Sequence, residues 1–163
     1  MKKVENIDLE YRMFGMVPYN ISEIQKGIQF GHAVVEYGIK YGDTDIYKLW
    51  SNKWKTFVIL NGGTTNTNFA NLGTLNKNYI DLIKLTDADF RISNFFEPDL
   101  GNQLTAFVFI IDERVFDRKK YMDFEDFEIM YSSSLNIDKL YEEYLGGPTN
   151  VFLRNFLKPF KLA

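Results

Sequence analysis

The chain has 163 residues, 45% hydrophobic and 25% charged with a net charge of −3, a balance that fits a soluble globular protein of one domain. It has no cysteine, which excludes disulfides, thiolate nucleophiles and cysteine-ligated metal. Its single histidine excludes paired-histidine catalysis within one chain, while a carboxylate-bound magnesium stays open. The acidic balance also argues against a nonspecific nucleic-acid binder, which needs a basic surplus to displace counterions.

The amino terminus, MKKVENIDLE, carries two lysines but no apolar run behind them, so it does not read as a signal peptide. No stretch approaches the length of a membrane span, and the expectation is a cytoplasmic protein without membrane contact. Residues 1–9 read as a polar arm. Tyr11 to Pro18 is an apolar run of strand length ended by proline, a buried first strand.

Ser22 to Tyr41 follows as a helix. Ser22 with Gln25 three residues on fits a capping box, Ile21 is placed to act as a hydrophobic staple, and Gly42 and Asp43 end the helix. At ~100° per residue, Gln25, Gln29, His32 and Glu36 share one polar seam. Ile24, Ile28, Gly31, Val35 and Ile39 line one side of it, and Phe30, Val34, Tyr37 and Tyr41 form a second apolar arc. The expectation is a helix wedged on two faces, with its seam meeting something polar.

A linker with Tyr47, Trp50 and Trp54 leads to a second buried strand, Thr56 to Leu60, stopped by Asn61, Gly62 and Gly63. Strand, helix and strand make a βαβ unit and a parallel pair. The loop NGGTTNTNFANLG then stands where open α/β sheets bind ligands, although it lacks the Walker lysine. Thr74 caps a second helix to about Asp87, facing inward through Leu75, Tyr79, Leu82, Ile83 and Leu85. Phe90 to Phe96 and Leu104 to Ile111 are the third and fourth strands, with Pro98 and Gly101 as turn residues between them.

Negative charge concentrates between Asp112 and Glu143, where Asp123, Glu125, Asp126 and Glu128 read as a solvated face rather than a cation site. Asp138 to Leu145 is a short helix ended by Gly146, Gly147 and Pro148. The terminal VFLRNFLKPFKLA reads as a docked helix or strand, with a partner-binding or membrane-surface peptide as the other reading.

The helix segment IQFGHA, the strand KTFVIL and the later EPDLGNQLTAFVFI together resemble the archaeal and eukaryotic type of peptidyl-tRNA hydrolase, over roughly residues 11–112. That family carries, on an early helix, a lysine, a glutamine four residues on, and a histidine followed by alanine. Here Gln25 stands in the lysine position, Gln29 is the glutamine, and His32 precedes Ala33; Lys26 is adjacent but points ~100° away. The family's Asp-Ala-Gly-x-Thr turn corresponds to Asp99, Leu100, Gly101, Asn102 and Gln103, with glutamine in place of threonine.

The resemblance implies an α/β fold: a mixed four-stranded sheet flanked by helices over residues 1–112, with residues 113–163 an extension packed on the same domain. It implies hydrolysis of the ester between a peptide and a tRNA ribose, with His32, Asp99 and Gln29 as the catalytic set and no cofactor. Gln25, Lys26, Glu36, Asn61, Gly62, Gly63, Thr64 and Gln103 are the candidate ligand contacts, and no metal ligand is expected. The competing reading is a noncatalytic nucleotide-, RNA- or protein-binding module on the same fold, for example a phage accessory or counter-defence protein. The partners left open are a tRNA or nucleotide, a protein met through the C-terminal segment, and a second copy in a homodimer.

Overall fold

A computed structural model describes residues 9–65 and 73–163. Most of the polar arm and the 66–72 part of the Gly/Asn/Thr-rich loop lie outside the described residues. Four strands form one mixed sheet: β1 (Tyr11–Pro18), β2 (Thr56–Gly63), β3 (Ile92–Glu97) and β4 (Gln103–Asp112), in the order β2-β1-β4-β3. β1 runs parallel to β2 and antiparallel to β4, and β3 pairs antiparallel with β4. The two central strands, β1 and β4, are buried along almost their whole length, which is why they read as continuous apolar runs rather than alternating ones. β2 continues through Asn61 and Gly62 to Gly63, three residues past its expected end.

Alternation along the strands divides the core in two. Met13, Val17, Ala106, Val108 and Ile110 face α1 (Glu23–Tyr41), together with Phe30, Ala33 and Tyr37 of that helix. Gly15 lies beneath Phe30, and a Cβ there would overlap the Phe30 ring, so this strand position admits the helix only as glycine. Phe14, Met16, Phe107, Phe109 and Ile111 face the other way, against Leu75 and Leu82 of α3 (Thr74–Leu85) and Leu153 of α7 (Pro148–Leu157). The sheet is thus covered by helices on both faces.

Between α1 and β2 lie α2 (Asp45–Leu49) and a π-helical turn, Trp50–Trp54, that places Trp50 in the core with its indole N–H on the Thr56 carbonyl at 3.2 Å. Tyr47 stacks on Tyr37. Tyr47 and Trp54, partly buried, pack against the same core as Trp50.

α1 is not wedged on two faces. Ile24, Ile28, Val35 and Ile39 are 77%, 44%, 61% and 73% exposed, and only the Phe30–Tyr37 arc is packed. α3 departs similarly: its N-cap is Gly73 rather than Thr74, it ends at Leu85, and Ile83 and Leu85 are exposed.

Past the sheet come α4 (Glu113–Phe116), α5 (Phe124–Met130) and α6 (Ile137–Leu145), and Gly146 ends α6 in the left-handed conformation as its sequence suggests. Arg154 of α7 is 1% exposed. Its guanidinium donates to Asp123 Oδ1 at 2.9 Å, to the Arg114 carbonyl at 2.9 Å and to the Tyr121 carbonyl, tying α4 and the following turn to the last helix. The chain's end returns to the sheet, where Leu162 bridges Leu60 at the β2 edge. No helix among the described residues is long and apolar enough to cross a membrane.

Candidate functional site

The strand directions bring the ends of β1, β2 and β3, the start of β4 and the first turn of α1 to one end of the sheet. The Ser22 hydroxyl accepts from the Gln25 amide at 3.3 Å and fixes where α1 begins, so Gln25, Gln29 and His32 climb one side of the helix from that end. Opposite them, β3 runs into the turn Pro98–Leu100, closed by Gly101 at φ 68°. A cleft of about 520 Å³ lies between, lined by Ile21, Gln25, Ile28, Gln29, His32, Glu97, Asp99 and Leu100.

A hydrogen-bonded network forms its floor. Gln29, 2% exposed, donates from Nε2 to Glu97 Oε2 at 2.7 Å and more weakly to Gln25 Oε1 at 3.4 Å, while its Oε1 accepts from the Thr105 hydroxyl at 2.6 Å. Thr105 reaches α1 because β4 carries a bulge: Phe95 pairs with Ala106 but Phe96 pairs with Leu104, leaving Thr105 as the extra residue. A bulge of this kind re-aims a side chain, here toward the helix. Glu97 Oε1 also accepts from the Asp99 amide at 3.3 Å, so the strand end is cross-linked to the turn.

Above the floor, His32 lies flat on Phe95 with ring centroids 4.4 Å apart and planes 17° from parallel. Among the described residues, no hydrogen bond holds the His32 nitrogens or the Asp99 carboxylate. With the Gln25 amide hydrogens they are open to a ligand, whereas both amide hydrogens of Gln29 have internal acceptors. Among the described residues, no lysine or arginine lines the cleft.

The structure therefore gathers Gln25, Gln29, His32 and Asp99 around one cavity and leaves the other candidates elsewhere. Lys26 pairs with Glu23 at 2.8 Å, and Glu36 faces Lys40 at 3.9 Å one turn beyond the cleft. Asn61, Gly62, Gly63 and Thr64 sit at the same end of the sheet but against α3. Gly62 packs between Met16 and Leu75, its carbonyl accepts from Asn78 at 2.8 Å, and the Thr64 amide donates to the Thr74 hydroxyl at 2.9 Å. The Asn61 amide donates to the Lys161 carbonyl at 2.8 Å and the Gly63 carbonyl accepts from the Tyr19 amide at 2.8 Å, so the backbone of this segment is engaged by its neighbours. Gln103 is the first residue of β4, paired with Glu97 in the sheet, and does not line the cleft.

Glu97 and Thr105 are the site residues that sequence reasoning missed. Thr105 had a signal, being the one polar residue inside the apolar run LTAFVFII; Glu97 was hidden by its place at the edge of the turn motif. Among the described residues, no group of three His, Cys, Asp or Glu side chains is placed to hold a metal ion. No protein-family model and no curated protein matches the chain.

Proposed function

We propose that the cleft between α1 and the β3–β4 turn is the working site of a peptidyl-tRNA-hydrolase-like protein, which hydrolyses an acyl ester at an RNA ribose. One observation carries this reading. His32, Gln29 and Asp99, chosen from two short motifs about seventy residues apart, line a single cavity large enough for the acylated ribose end of an RNA. In the reaction a water adds to the acyl carbon, the bond from that carbon to the ribose oxygen breaks, and the ribose oxygen takes up a proton. Asp99 and His32, whose side chains have no hydrogen-bond partner among the described residues, are the groups available to orient the water and relay that proton. Gln29, fixed by Glu97 and Thr105, holds the wall against which the ester lies. The test is release of the acyl group from an N-blocked aminoacyl-tRNA by the wild type and by Asp99→Asn; a folded wild type that gives no release above background overturns the reading.

The cleft's charge favours a second reading. Among the described residues two carboxylates and no cation line it, so no positive charge there meets a phosphate or a developing oxyanion. A noncatalytic module that binds a donor-rich ligand, such as a nucleoside, would use the same groups without needing such a cation. That reading predicts a rise in Tm with a nucleoside or short RNA that disappears in the His32→Ala, Asp99→Asn double variant.

A further inference from the structure

The exposed stripe of α1 is self-complementary. Ile24, Ile28, Val35 and Ile39 project from one side of the helix over about 22 Å, and all four are exposed. Their spacing reads the same in both directions about a point between Gly31 and His32. An antiparallel copy of the helix, related by a twofold axis through that point, sets Ile24 against Ile39 and Ile28 against Val35 without slipping the register. Near the axis, a Cβ on Gly31 would meet nothing within 4 Å, and the same holds for Gly27, so that flank leaves room for close approach of the two backbones.

Charge agrees with this arrangement. Glu36, on the other flank, falls beside the uncharged Gln25 of the second copy, and the two Glu36 residues stay about 13 Å apart along the axis. No like charges are forced together in the seam. The four side chains are thus an exposed apolar stripe on each copy, and the largest such patch on a protein is often functional.

We infer that the protein forms a twofold-symmetric homodimer through an antiparallel α1–α1 contact centred between Gly31 and His32. Since Ile28 and His32 also line the cleft, the second copy forms part of the surroundings of each cleft. The contact rests on the exposed stripe alone and does not depend on the chemistry assigned to the cleft.

Sedimentation over a concentration series tests it. The wild type should rise from 19.1 kDa toward twice that mass, whereas Val35→Lys, which alters an exposed side chain, should stay folded and monomeric, with a Tm that no longer rises with concentration. The absence of native cysteine permits a register test. Gly31→Cys should oxidise to a covalent dimer, and Ile24→Cys, whose two copies lie about 22 Å apart in the antiparallel register, should not. A wild type monomeric throughout, a dimer indifferent to Val35→Lys, or ready crosslinking through Ile24→Cys would each overturn the inference. The first of these outcomes would leave the stripe to a different partner.

Discussion

The Gln29 amide nitrogen lies 2.7 Å from Glu97 Oε2, across the gap between the second turn of α1 and the last residue of β3. With Thr105 on the other end of the same amide, this bond fixes the separation of the helix from the sheet edge at the mouth of the cleft. The polar seam of α1 does meet something polar: the end of one strand and a bulge in its neighbour. Both ends of the Gln29 amide are partnered, so Gln29 sets the shape of the cleft and leaves His32, Asp99 and the Gln25 amide hydrogens facing it.

Gln29→Ala removes two partners at once, leaving the fully buried Thr105 hydroxyl with only the long 3.4 Å bond to the Phe95 carbonyl and leaving the Glu97 carboxylate without its closest donor. Loss of a partner to a buried polar group costs about 1–3 kcal/mol. Urea denaturation should show a loss of that size, with the m-value unchanged.

Arg154 presents a harsher case. Arg154→Met fills much of the same volume but strands the carbonyls of Arg114 and Tyr121, and removes one of the two guanidinium partners of Asp123. Each carbonyl left without its donor costs about 1–3 kcal/mol, whereas Asp123, 34% exposed and still paired with Arg118, loses little. Arg154→Lys should recover little of it, because an ammonium cannot reach these acceptors as a fork. Thermal denaturation of the two variants beside the wild type checks both statements.

Acid sensitivity should centre in part on Glu113. Burial pushes its carboxyl up, but hydrogen bonds from the Lys120 ammonium, the Glu10 amide and the Tyr121 hydroxyl outweigh burial and hold it below the ordinary carboxylate value. A carboxylate so lowered contributes stability that is present above its unfolded pKa of about 4.3 and is lost as the pH falls through the lower folded value. The stability gap between wild type and Glu113→Gln should therefore be largest near neutral pH and narrow below about pH 4. A gap constant down to strong acid would contradict the assignment.

The four strands and α1 were legible because their signals are local: continuous apolar runs for strands buried on both sides, a serine cap for the helix, and Pro98 and Gly101 for the turn between β3 and β4. The burial of α1 was not legible. Periodicity shows that Ile24, Ile28, Val35 and Ile39 share a side, but which side meets the sheet is decided by Gly15, the only position in β1 that lets Phe30 seat. Gly62 and Gly63 read as the stop after the second strand, whereas both belong to β2. Glycine marks both open ligand loops and tight packing, and here Gly62 is strand backbone pressed between Met16 and Leu75. The contribution of Thr105 depends on a bulge, a register irregularity that leaves no mark in composition.

The most direct measurement is kcat/KM for release of N-acetylated amino acid from its tRNA by the wild type, Asp99→Asn, and Glu125→Gln as a control in α5 away from the cleft. The account predicts turnover by the wild type, a loss of about 100-fold or more in Asp99→Asn with an unchanged Tm, and no loss in the control. Equal rates in the wild type and Asp99→Asn, or no turnover by a folded wild type, would contradict it.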